Sequence, residues 1–182
     1  MQDATHGTLT LYRFGRREIR DRISATYPEI LEQTRQNRSE FVWTEHASVE
    51  ALGRARMAAM ERFLDDYDAG RKSGRYLPAE LPSLPFADRS FGLALCSHFL
   101  FLYTDQLSRR FHVDSILELC RVADEVRIFP LLGLGGAPSR HVSPVTELLQ
   151  RRGSQIKIET VAYEFQRGGN QMMRIFAGVS GG

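Results

Sequence analysis

Apolar positions change their spacing along the chain, and the change divides it. Leu9-Thr10-Leu11-Tyr12 alternates apolar and polar and predicts a short β-strand. From about Arg16 to Asn37, Ile19, Ile23, Tyr27, Ile30 and Leu31 recur at three- and four-residue intervals, which predicts an amphipathic helix. Pro28 lies inside that pattern, lacks a backbone N–H, and is expected to kink or split the helix. Phe41-Val42-Trp43 follows as an aromatic anchor. Ser48 is a candidate N-cap for a second helix running to about Ala69, with Leu52, Met57, Met60, Phe63, Leu64 and Tyr67 on its apolar face and Gly70 as its stop. A methionine-containing stripe at this spacing reads as packing.

After residue 74 the period shortens. Arg75-Tyr76-Leu77 predicts a strand broken by Pro78, and a proline-spaced loop, Leu81-Pro82-Ser83-Leu84-Pro85-Phe86, leads to Asp88-Arg89-Ser90. Phe91 to Ser97 is a continuous apolar run of the kind buried on both faces of a parallel sheet. A helix over Phe111–Ala123 with Ile116, Leu117, Leu119 and Val122 inward precedes a strand over Val126–Phe129. Gly133, Gly135 and Gly136 mark a loop, Pro144–Arg152 a short helix closed by Gly153. Ile156–Phe165 and Met172–Ala177 are two final strands around Gly168-Gly169-Asn170. The alternation predicts an α/β fold with a mostly parallel sheet and an antiparallel C-terminal strand. Residues 1–74 form its N-terminal strand and helical part, and 75–182 its main body.

Composition adds boundaries to this picture. At 182 residues with 42% hydrophobic and 25% charged residues, the chain is long enough and apolar enough to bury a core. A net charge of +2 does not impose a nucleic-acid footprint. Arg13, Arg16, Arg17, Arg20, Arg22, Arg35 and Arg38 crowd the first quarter, but Glu18, Asp21, Glu29 and Glu32 are mixed among them, so a solvated helix face reads better than an RNA patch. Cys96 and Cys120, the two cysteines, both sit in apolar surroundings, which suits a reduced, cytoplasmic protein. No stretch has the length of a membrane span, and the first residues lack the apolar centre of a secretion signal.

Chemistry is sparse. His112 and His141 have no cysteine or carboxylate at metal-ligand spacing. His98 is either a satisfied structural histidine or a general base, since imidazole titrates near neutrality. Ser97-His98 also resembles a hydrolase pairing, but no Gly-x-Ser-x-Gly turn accompanies it. Cys96 reads as a small core hydrophobe.

The run Leu84-Pro85-Phe86-Ala87-Asp88-Arg89-Ser90-Phe91, followed by an apolar strand ending in Cys96-Ser97-His98, resembles a signature of bacterial class I S-adenosyl-L-methionine (SAM)-dependent methyltransferases. Glu118–Ala123 with the Val126–Phe129 strand resembles the family's next unit, and Tyr163–Phe165 with Met173-Arg174-Ile175 its last. The resemblance implies a Rossmann-like methyltransferase fold with strand order 3-2-1-4-5-7-6, SAM as cofactor and an unknown methyl acceptor. It implies that Glu80 accepts a hydrogen bond from the adenine amine and that the Leu81 N–H meets a ring nitrogen, with Cys96 and Ser97 beside the cofactor and His98 as the catalytic candidate. The plainer alternative for Glu80 is an exposed loop residue. The helices between residues 16 and 69 would then form a lid or insert.

The chain departs from that family in three places. No glycine-rich cofactor turn precedes Arg16, Gly7–Phe14 contains no acidic residue for the ribose hydroxyls, and Gly92 replaces the usual aspartate. By the family's strand order, the central strand would be absent. Either Leu9–Tyr12 or another chain, as in an oligomer completing the sheet, would have to supply the missing pairing. The alternatives to an active enzyme are therefore a non-catalytic relative acting through protein contacts and a truncated one.

Overall fold

A computed structural model describes residues 13–176, so the Leu9–Tyr12 run and Ala177 lie outside the described residues. The chain divides into two compact units, the first ending at Ala79 and the second beginning at Glu80, a few residues beyond the expected boundary.

The first unit is a helical pair, α1 (Arg16–Gln36) and α2 (Val49–Lys72), with a 3-10 turn at Arg38–Glu40 between them. Pro28 does not split α1, which continues through it as one helix. Ile19, Leu64 and Tyr67 are fully buried, with Phe14, Ile23, Phe63 and Tyr76 packed around them. The Tyr67 hydroxyl donates to the Phe14 carbonyl at 3.0 Å, which satisfies the one polar atom that burial would otherwise strand. Ser48 caps α2 by accepting from the Ala51 N–H at 3.1 Å.

Two expectations are corrected here. Gly70 does not stop α2: it is buried inside the helix, and a Cβ there would overlap the Tyr76 ring. The helix needs a glycine at this position because the ring lies against its backbone. Gly74 at φ +73° makes the turn instead. Arg75–Leu77 is not a strand; Tyr76 packs on Phe63 and Tyr67, and Arg75 and the Tyr76 hydroxyl both bind Asp66 at 2.8 Å. Arg16 pairs with Asp65 at 2.6 Å, and Arg35 with both Glu32 and Glu50, so these arginines are answered by carboxylates.

The second unit is a four-stranded sheet with two helices. Along the chain run β1 (Phe91–Ser97), α3 (Arg109–Val122), β2 (Ala123–Phe129), α4 (Val142–Arg151), β3 (Gln155–Thr160) and β4 (Gln171–Phe176). The sheet order is β1-β2-β4-β3. β1 and β2 are parallel, while β4 pairs antiparallel with both β2 and β3. The expected mostly parallel, Rossmann-like sheet is therefore corrected to a small mixed sheet; the C-terminal strand β4 is antiparallel, as expected, and lies between β2 and β3. The physical reason is the short segment between Thr160 and Gln171: it permits an antiparallel return, whereas a parallel return needs a longer crossover.

Register fixes which side chains share a face. Ala94 and Cys96 align with Val126 and Ile128, and these with Ile175 and Met173. That face packs on Val113, Ile116 and Leu119 of α3 and Val145 and Leu149 of α4, all buried. The opposite face carries Phe91, Leu93 and Leu95 beside Glu125 and Arg127, then Phe176 and Arg174. Phe91 and Leu93 are each 42% exposed and Leu95 is 68% exposed. Phe91–Ser97 forms the expected strand, but it is not buried on both faces.

Candidate functional site

β1, β2 and β3 point the same way, so the segments that leave their C-terminal ends gather at one end of the sheet, where open α/β sheets commonly bind ligands. His98 follows β1 directly. Its N–H donates to the Phe129 carbonyl at 2.7 Å, extending the parallel ladder by one residue, and its φ is +55°. A left-handed backbone costs a non-glycine residue roughly 1–3 kcal/mol and persists where surrounding contacts hold it. Several such contacts are present. Ser97 Oγ and His98 Nδ1 are hydrogen-bonded at 2.7 Å, and the imidazole meets the Phe129 ring edge-on at 5.7 Å. Phe129 meets Tyr163, which follows β3, at 6.0 Å. Ser97 and His98 are both exposed.

The segment after His98 is anchored from below. Leu100 and Phe101 are fully buried. The buried imidazole of His112 on α3 lies between two carbonyls, with Nδ1 2.8 Å from Ser108 O and Nε2 2.9 Å from Leu100 O. Neutral imidazole has one N–H, so it serves one carbonyl at a time, and only the imidazolium serves both. Burial pushes His112 below its usual titration range, opposed by the Ser108 carbonyl, while nearby His141 lowers it further. The His141 ring lies 4.6 Å from that of His112. The Thr104 hydroxyl meets Ser139 Oγ at 2.5 Å, and Arg140 pairs with Asp105, which ties the same segment to the loop after β2.

Glu80 and Leu81 open the second unit. Glu80 is half-buried, and its carbonyl accepts from the Ser83 N–H at 3.0 Å in a tight turn containing the cis Leu81–Pro82 bond. Leu81 and Leu84 pack on the core cluster that includes Cys96, which sets this loop against β1. Glu118 fixes the loop by accepting from the Leu84 N–H at 2.6 Å, and Arg121 reaches Glu118, Asp88 and the Phe86 carbonyl. The guanidinium of Arg121 holds the Glu118 carboxyl below the usual carboxylate range.

Cys96 is the small core hydrophobe that its apolar surroundings predict. Its side chain faces the helices in the core, and burial raises its thiol pKa. That leaves its backbone, and not its sulfur, at the strand end. Burial also pushes the Cys120 thiol up to about 11. Among the described residues, no cluster of three or more His, Cys, Asp or Glu could hold a metal ion.

With the geometry in place, comparison with known proteins adds one relative. The uncharacterized protein MJ0045 of Methanocaldococcus jannaschii is 35% identical over 138 residues. The match covers 76% of this chain and 59% of that protein, so the chain spans well under two thirds of its relative. No described protein family matches the chain. No solved structure matches it, which also removes the support that a Rossmann-like methyltransferase fold would have drawn from known structures. Among the described residues, no helix is long and apolar enough to cross a membrane.

Sequence reasoning reached Ser97 and His98 but missed Phe129 and Tyr163. Phe129 carried one usable signal, its position before Pro130 at a strand end. Tyr163 lay in the run that resembles the family's last unit, but its contact with Phe129 depends on where β3 lies relative to β2.

Proposed function

We propose that the chain is a methyltransferase-like protein whose strand-end site handles an unidentified methyl acceptor, with SAM as the methyl donor. The observation that carries this reading is the left-handed His98 at the end of β1, bonded to Ser97 and set against Phe129. It stands where the resembling sequence run ends. An imidazole held on a strained backbone at the end of a parallel strand pair suits the orientation or deprotonation of an acceptor.

The fit of the cofactor to the described residues is partial. Glu80 offers an acceptor-only carboxylate suited to an exocyclic amine, and the loop behind it is braced by Glu118 and Arg121. Gly7–Phe14 contains no acidic residue for the ribose hydroxyls, and no glycine-rich turn precedes Arg16. SAM, when bound, brings its own activated methyl group. The residues of this chain would bind and orient the reactants.

Cytoplasmic location is part of the same proposal and rests on two free thiols of raised pKa, Cys96 buried and Cys120 half-buried. The competing reading is a non-catalytic relative that acts through protein contacts, favoured by the exposed apolar row on β1.

Calorimetric titration of the whole chain with SAM and with its demethylated product separates the two. The methyltransferase reading expects micromolar binding, about −8 kcal/mol, weakened at least tenfold by Glu80→Ala. A folded, monodisperse sample that binds neither ligand would overturn it and leave the contact-making relative.

A further inference from the structure

The outer edge of β1 combines features that folded proteins normally avoid together. Among the described residues no strand pairs with it. Its sequence, Phe-Gly-Leu-Ala-Leu-Cys-Ser, has no charge and no proline, the usual devices that keep an edge from pairing. Leu95, near its middle, is 68% exposed.

The direction of the free backbone groups follows from the ladder. The His98 N–H donates toward β2. Alternation along a strand then turns the N–H and C=O groups of Leu93, Leu95 and Ser97 outward. The same three residues, with Phe91, form the exposed row, so the unpaired backbone and the unpaired apolar side chains belong to the same positions.

We infer that β1 pairs antiparallel with β1 of a second copy of this chain, about a two-fold axis at Ala94. This register uses all seven residues of the strand. It sets Leu93 opposite Leu95 of the second copy, Leu95 opposite Leu93, and Phe91 opposite Ser97. Each of these is a pair of outward-facing residues, the kind that exchanges both N–H···O bonds in an antiparallel ladder. Cross-strand leucine pairs would form on the open face from both sides of the axis. An uncharged strand meets itself without like-charge repulsion, and a two-fold interface must be self-complementary in this way. A separate polypeptide could add to the same edge, but the near-symmetric Leu-Ala-Leu centre favours self-pairing.

The test is sedimentation of the full chain over a range of concentrations, together with amide hydrogen exchange. The wild type is expected to dimerise, with Leu93 and Leu95 amides protected at high concentration and released on dilution. Leu95→Lys, at an exposed position where folding should be unaffected, is expected to raise the dimer dissociation constant at least tenfold. Ile158→Lys, at an exposed position on β3, is expected to leave it unchanged and controls for added charge. A wild type that stays monomeric overturns the inference, whether its edge amides exchange freely or are protected by another segment of the chain. A dimer that survives Leu95→Lys undiminished also overturns it.

Discussion

The two faces of the sheet are built from the same strands, yet they solve opposite problems. On the helix-covered face, Val126, Ile128, Met173 and Ile175 are buried under α3 and α4, and local order follows from burial. On the open face an apolar row, Phe91, Leu93 and Leu95, gives way across one strand to charge. Glu125 accepts from Arg127 at 2.6 Å and from Arg174 at 2.7 Å. Arg174, and next to it Arg127, hold the Glu125 carboxyl down at about 2. The covered face is finished with side chains that exclude water. The open face is finished with charges at its centre and left apolar at the β1 edge. The buried side chains that stabilise the sheet therefore lie on one side of it, and the exposed apolar row on the other.

The contrast can be broken by truncation. Ile128→Ala on the covered face should cost about 2–5 kcal/mol by lost transfer energy and cavity formation. Leu95→Ala on the open face should change monomer stability by less than about 0.5 kcal/mol. Urea denaturation of the two variants at low protein concentration checks the difference, and equal losses would mean that the open face is covered.

Acid should weaken the covered side through His112. The folded imidazole titrates below its usual value of 6.5, so the unfolded chain takes up the proton first. Stability is then fully present above about pH 6.5 and declines below it, by up to about 1.4 kcal/mol per pH unit until the folded group also protonates. His112→Gln should flatten this decline in urea midpoints measured from pH 7.5 to 5.

The open face has its own acid response, at lower pH. Glu125 titrates at about 2 against an ordinary 4.5, so its contribution is present above about pH 4.5 and fades as pH falls toward 2. Glu125→Gln should lose that pH dependence while leaving the behaviour near pH 6 unchanged. This separates the charge belt from His112.

The smallest effect is expected at Ser115, fully buried on α3 with its hydroxyl lacking a hydrogen-bond partner. Ser115→Ala removes an unsatisfied polar atom and should be neutral or stabilising, by up to about 1 kcal/mol. Thermal denaturation reads the sign.

Much of the local structure was legible from residue spacing. Three-residue and four-residue recurrences placed α1, α2 and α3, Ser48 announced its cap, and Phe91–Ser97 was a strand from end to end. These features depend on neighbours within a turn or a few residues. What failed depended on distant ones. Gly70 read as a terminator because a glycine after an apolar stripe commonly is one, but the Tyr76 ring required it inside the helix. Ser97 and His98 were identifiable as candidates, whereas their setting against Phe129 and Tyr163 was not.

By itself, then, the sequence determined where helices and strands form and which residue types could do chemistry, since propensity, period and capping act over short range. Only the tertiary structure decided the sheet order, the mixed pairing and the exposed row on β1. An apolar strand has the same composition whether one of its faces is buried or both. The number of buried faces is set by how many elements pack on the sheet, and a single strand carries no record of its neighbours.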